Sequence, residues 1–97
     1  MKVHVPTPLR SYTGNRNIVE AYGKTLEELF QDLERQFPGI RFRVINEQDE
    51  IREHIKVIVN QTIAADLRAP LAPDDEVRLI AAISGGAQGG RKDAWST

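Results

Sequence analysis

The sequence predicts an α+β domain in which one main helix packs on one face of a mixed sheet of four to five strands. Three observations carry this. A capped stripe of apolar residues runs from Thr25 to Phe37, period-two alternation appears at Met1–Val5 and again at Glu76–Ala82, and a β-branched run fills His54–Asn60. Ninety-seven residues suit a single domain with one modest core.

Taken in order, Met1-Lys2-Val3-His4-Val5 alternates as a half-buried strand, and Pro6-Thr7-Pro8 limits ladder pairing beyond it. Ser11-Tyr12-Thr13-Gly14-Asn15 is turn chemistry, with Gly14 and Asn15 tolerating positive φ. A second strand over residues 17–22 would point Val19 and Ala21 inward and close an antiparallel hairpin. Thr25 and Glu28 have capping-box spacing. Leu26, Leu29, Phe30, Leu33 and Phe37 then share one helix face, with Glu27, Glu28, Gln31, Asp32, Glu34 and Arg35 on the other, and Pro38-Gly39 ends the helix. Residues 41–53 are charge-rich, with Phe42, Val44, Ile45 and Ile51 as scattered anchors; no regular structure is forced on them, and a short helix or strand is left open. A strand over 54–60, a turn at Asn60-Gln61-Thr62, a proline-containing crossing from Leu67 to Pro73 and a turn at Asp74-Asp75 lead to the last strand. There Val77, Leu79 and Ala81 alternate with Arg78, Ile80 and Ala82, and the strand runs into Gly85-Gly86.

The commonest small architecture with a hairpin, a helix and two later strands in this order is the β-grasp. That arrangement sets the first and last strands side by side and parallel in the centre, with the Gly-Gly extension projecting from the last.

Several functions are excluded by composition. A net charge of -1 offers no basic stripe for nucleic acid. The absence of cysteine removes disulfides, thiolate metal sites and thiol catalysis, so any sulfur chemistry runs through another group. No apolar run reaches the length of a membrane span, and no signal-peptide core is present, which points to the cytoplasm. His4 and His54 stand far apart with no third ligand at metal spacing, and the glycines complete no phosphate loop. Neither catalytic residues nor a bound cofactor or metal are expected.

With these pieces in place the chain resembles the sulfur-carrier branch of the ubiquitin-like β-grasp families. That branch includes the small subunit of molybdopterin synthase, the thiamine thiazole sulfur carrier and the thiocarboxylate carriers of cysteine synthesis. The resemblance spans residues 1–86. It rests on Val5-Pro6-Thr7-Pro8-Leu9-Arg10, Tyr12-Thr13-Gly14, Gly23-Lys24-Thr25-Leu26, Phe37-Pro38-Gly39, Val57-Ile58-Val59-Asn60, Pro70-Leu71 and Asp75-Glu76-Val77, and on the spacing from Val77 to Gly85-Gly86. Two departures stand out: Asp74 replaces a glycine common in the family, and residues 87–97 continue past Gly86 as a polar, glycine-rich extension that reads as flexible.

The resemblance implies a carrier domain over 1–86 and a tail over 87–97 that is removed by cleavage between Gly86 and Ala87, by a protease of the JAB/JAMM zinc type; Gly90 is a second candidate end. It implies that the carboxylate of Gly86, preceded by Gly85, is adenylated with ATP by a partner of the ubiquitin-activating type, converted to a thiocarboxylate, and used by a sulfur-accepting biosynthetic enzyme. The chain is then a protein substrate rather than an enzyme. Alternative outcomes are a ubiquitin-like modifier forming isopeptide bonds, the small subunit of molybdopterin synthase, and a non-conjugating β-grasp binding module. Lys56, Ile58, Arg78 and Ile80 are the candidate partner-docking residues on the open sheet face. The competing placement packs Ile58 and Ile80 under the crossing segment.

Overall fold

The hairpin is built from β1 (Lys2–His4) and β2 (Ile18–Glu20), antiparallel with Val3 opposite Val19. The computed structural model describes residues 1–81. Between the two strands the chain forms a 3-10 helix, Thr7–Thr13, in place of a bare turn. Pro8 lies in its first turn, where a missing N–H costs nothing, and Gly14 closes it at φ 67° with its N–H donating to the Arg10 carbonyl.

Helix α1 spans Leu26–Gln36. Thr25 caps it, accepting the Glu28 amide at 3.3 Å, while the Glu28 carboxylate accepts from Lys24 N at 2.8 Å, one residue earlier than a capping box requires. Leu26, Leu29, Phe30 and Leu33 are completely buried, each contributing about 1.5–3 kcal/mol by removal from water. Phe37 is only partly buried, because the helix ends there and the chain swings away. Asp32, expected on the wet face, is buried instead. Its carboxylate accepts the Tyr22 amide at 3.0 Å and the Gln36 side chain at 3.2 Å, and pairs with Arg35. It thus satisfies backbone that the sheet leaves unpaired beyond β2.

The stretch left undecided holds a second helix, α2 (Ile40–Val44). Gly39 turns the chain at φ 97°, and the Glu34 carboxylate accepts the amides of Gly39 and Arg41 at 2.9 and 3.0 Å. One helical turn sends Ile40 and Val44 inward and Phe42 outward, so Phe42 is 53% exposed and is no core anchor. Asn46 then folds an Asx turn, its side chain accepting the amides of Gln48 and Glu50 at 2.8 and 3.0 Å, which brings Ile45 opposite Ile51.

Strands β3 (Ile55–Val59) and β4 (Thr62–Ile63) form a tight hairpin around Asn60, which sits at φ 57°. The last strand, β5 (Glu76–Ala81), completes a sheet of order β2-β1-β5-β3-β4. β5 is central, parallel to β1 and antiparallel to β3. This is the β-grasp architecture. The core lies between α1 and the face carrying Val3, Val19, Val57, Val77 and Leu79, all at most 4% exposed.

Candidate functional site

β5 leads in the sequence toward Gly85 and Gly86, the site expected from the resemblance. Those glycines, with Ala87, the Gly89-Gly90 pair and the rest of the tail, lie outside the described residues. Ala81 is the last described residue, four positions before Gly85.

Alternation along the strands sends Lys56, Ile58, Arg78 and Ile80 to the sheet face away from α1. They are register partners in two neighbouring rungs, Lys56 opposite Ile80 and Ile58 opposite Arg78. Lys56 and Arg78 are exposed and the two isoleucines are half-buried. The crossing segment does not cover them. It is tied to the start of α1 on the other face, Leu26 N donating to the Ala69 carbonyl and Glu27 N to that of Leu67, both at 3.0 Å. The Ile58–Arg78 rung extends across all five strands, to His4 and Ile18 on one side and Ile63 on the other. Ile18 and Ile63 are 42% and 61% exposed, so this open face combines apolar and charged groups, a composition suited to a partner. His4 Nε2 stands 3.3 Å from Glu76 Oε2 without hydrogen-bond geometry.

The entrance to β5 is tightly fastened. Asp75 accepts the Ala72 amide at 2.8 Å and the Asn60 side-chain N–H at 3.0 Å, and Asn60 in turn accepts the Glu76 amide at 3.0 Å. These bonds, the Ala72 amide first, hold the Asp75 carboxyl below the usual carboxylate range. Nearby, the Tyr22 hydroxyl and then the terminal amine of Met1 lower the Glu20 carboxyl in the same way.

At the exit of β5 the structure assembles a feature that sequence reasoning missed. A cleft of about 580 Å³ on the helix side is bordered by Tyr12, Phe42, Arg43, Arg52, His54 and Ala81. The Arg52 guanidinium lies over the Phe42 ring at 4.5 Å and donates from Nε to the Phe42 carbonyl at 2.8 Å. Arg43 lies over the Tyr12 ring at 5.8 Å and donates from Nε to the Tyr12 hydroxyl at 2.7 Å. The only local signal was the density of arginine around Phe42. Its meaning depends on α2, which the sequence did not announce. Among the described residues no cluster of His, Asp or Glu could hold a metal ion, and no helix is long and apolar enough to cross a membrane.

A central final strand followed in the sequence by Gly85-Gly86, with α1 behind it and an open face in front, fits the ubiquitin-like β-grasp class. Comparison with known proteins narrows this. The ThiS family model matches residues 3–86, and the chain belongs to that family of sulfur carriers. The sulfur carrier protein CysO of Mycobacterium tuberculosis is 32% identical over 89 residues, covering 87% of this chain and 96% of the relative. Among solved structures, a chain of the Amycolatopsis orientalis BexX/CysO complex superposes with a TM-score of 0.80 at 32% identity, over 84% of this chain and 94% of that one. The small archaeal modifier protein 1 of Haloferax volcanii superposes with a TM-score of 0.71 at 30% identity, over 89% of this chain and 98% of that one.

Proposed function

We propose that this chain is a sulfur carrier whose working terminus is Gly86, freed by cleavage before Ala87. The observation that carries the reading is the family match, which runs from residue 3 and stops at residue 86. The same limit favours Gly86 over Gly90 as the processed end. The likeness to proteins named as sulfur carriers, one of them solved in a complex with BexX, supports a role as protein substrate within larger assemblies.

The chemistry follows from what a carboxylate lacks, namely a leaving group. A partner of the ubiquitin-activating type joins the Gly86 carboxylate to the α-phosphate of ATP, releasing pyrophosphate. A persulfide then attacks the acyl carbon and AMP departs. A thiol then attacks the outer sulfur of the resulting acyl disulfide, forming a new disulfide with it and releasing the inner sulfur as a thiocarboxylate on Gly86 for a sulfur-accepting enzyme. The carrier contributes position: two residues without side chains at the reacting end, and a folded domain that docks. Lys56, Ile58, Arg78 and Ile80 are the docking residues of this proposal, and a JAB/JAMM-type metalloprotease is the enzyme that removes the tail.

The similarity to an archaeal modifier protein supports a second reading, in which the activated glycine is passed to a lysine amine as an isopeptide. Intact mass of the chain isolated from its native cell separates these outcomes. A species ending at Gly86 with one oxygen replaced by sulfur is expected of the carrier. Target proteins bearing the Gly86 remnant on lysine would establish the modifier. A full-length chain under every growth condition would reject both and leave a β-grasp binding module.

A further inference from the structure

The cleft at the exit of β5 brings together two arginines, Arg43 and Arg52. Arg35, Arg41, Arg68 and Arg78 each lie within 4.0 Å of a carboxylate, whereas Arg10, Arg16, Arg43 and Arg52 have no such partner among the described residues, and of these four only Arg43 and Arg52 border this cleft together. Glu53, between Arg52 and the exposed His54, pairs with neither neighbour among the described residues. In both arginines the Nε–H is used internally and the guanidinium plane is fixed over a ring, so each side chain is oriented while its terminal Nη groups have no acceptor among the described residues. An oriented guanidinium with free Nη donors is prepared for bidentate contact with a carboxylate, and less side-chain entropy is lost when that contact forms.

Location identifies the occupant. Ala81 borders the cleft, and five residues reach at most about 18 Å, so a protein enclosing Gly86 lies close enough for one of its loops to reach Arg43 and Arg52. The cleft is on the opposite side of the sheet from Lys56, Ile58, Arg78 and Ile80, and so is a separate contact. Phe42, 53% exposed, adds an apolar rim that a small inorganic anion would leave wet.

We propose that this cleft is a docking socket for an acidic loop of the enzyme that acts on Gly86, with one Asp or Glu carboxylate meeting Arg43, a second meeting Arg52, and an apolar residue between them covering Phe42. The assignment rests on the carrier reading above for its occupant, but the cleft can be tested alone. The isotope-labelled full chain is titrated with the peptide acetyl-Glu-Glu-Leu-Glu-Glu-amide and followed by NMR. Saturable shifts are expected at the Nε–H signals of Arg43 and Arg52 and at the amides of Tyr12, Phe42 and His54. Binding should weaken at least ten-fold in R43A/R52A, weaken partly in R43K/R52K, and stay unchanged in R35A/R68A. Shifts spread equally over Arg35, Arg68 and Arg78, no saturation, or displacement of the peptide by an equal concentration of inorganic phosphate would overturn it. In the native cell, wild type and R43E/R52E are then compared by intact mass. A converted wild type with at least ten-fold less thiocarboxylate in the variant supports the socket, and equal conversion of both overturns it. A wild type that is never converted sinks the carrier reading and the named occupant with it, while saturable peptide binding would still stand as a property of the cleft.

Discussion

The two ends of β5 are handled in opposite ways. At the Glu76 end, Asp75, Asn60 and the amides of Ala72 and Glu76 satisfy one another, joining two turns that are distant in sequence. At the Ala81 end, Arg43 and Arg52 are held in place through Nε and ring stacking, but their outer donors meet no carboxylate among the described residues. Polar groups of the first kind stabilise the fold, since turn geometry and hydrogen bonding are completed within the domain. Those of the second kind contribute little to the isolated domain and remain available to something else. One strand thus carries an anchored entrance and a receptive exit, and substitutions should separate the two.

The largest effect is expected where the ends share a core. Leu79 is 3% exposed, and Leu79→Ala should cost about 2–5 kcal/mol in urea unfolding, loosening both ends together. A smaller loss, about 1–2 kcal/mol, is expected for Asn60→Ala, which forces alanine into a left-handed conformation and removes the link to Asp75. Asn60→Gly should recover part of that loss, because glycine removes the conformational cost but not the lost hydrogen bonds. Acid should then act on the entrance, as it should on Asp66, whose carboxyl the Arg68 side chain holds low. The Glu20 and Asp75 carboxyls are lowered in the folded chain, so their contribution is fully present above the usual carboxylate range and is lost as pH falls through the folded values. Melting temperature measured against pH should fall more steeply for wild type than for Asp75→Asn. The smallest effect belongs to the exit: Arg43→Ala and Arg52→Ala should each shift unfolding free energy by no more than about 0.5 kcal/mol in the same urea assay. A larger loss there would show that the exit, too, is built for stability.

What was legible in the sequence follows the same division. α1 was readable because its cap and its apolar stripe are local and consecutive, and β5 because alternation from Val77 to Ala81 has only one sensible face to bury. The placement of Lys56 and Arg78 on the open face came from the same period-two logic. The Asp32 carboxylate was misplaced because its partner, the Tyr22 amide, lies ten residues earlier and outside any helical pattern. α2 stayed undecided between short helix, strand and irregular chain because its acceptors come from Glu34 in the preceding helix. β4 was read as turn because two residues are too few to show a period. The exit cleft was illegible for a stronger reason. Tyr12, Phe42 with Arg43, and Arg52 with His54 arrive from three separate segments, and only the packed fold makes them neighbours.

The central, parallel placement of β5 beside β1 also determines how the domain carries a load. A pull on the tail acts along the axis of β5, which is hydrogen-bonded to β1 on one side and β3 on the other. Both ladders are then strained in shear, and their bonds must yield together rather than unzip one by one. A protein that grips and releases the far end can therefore tug on it repeatedly without unravelling the body, which would leave the domain intact for another round.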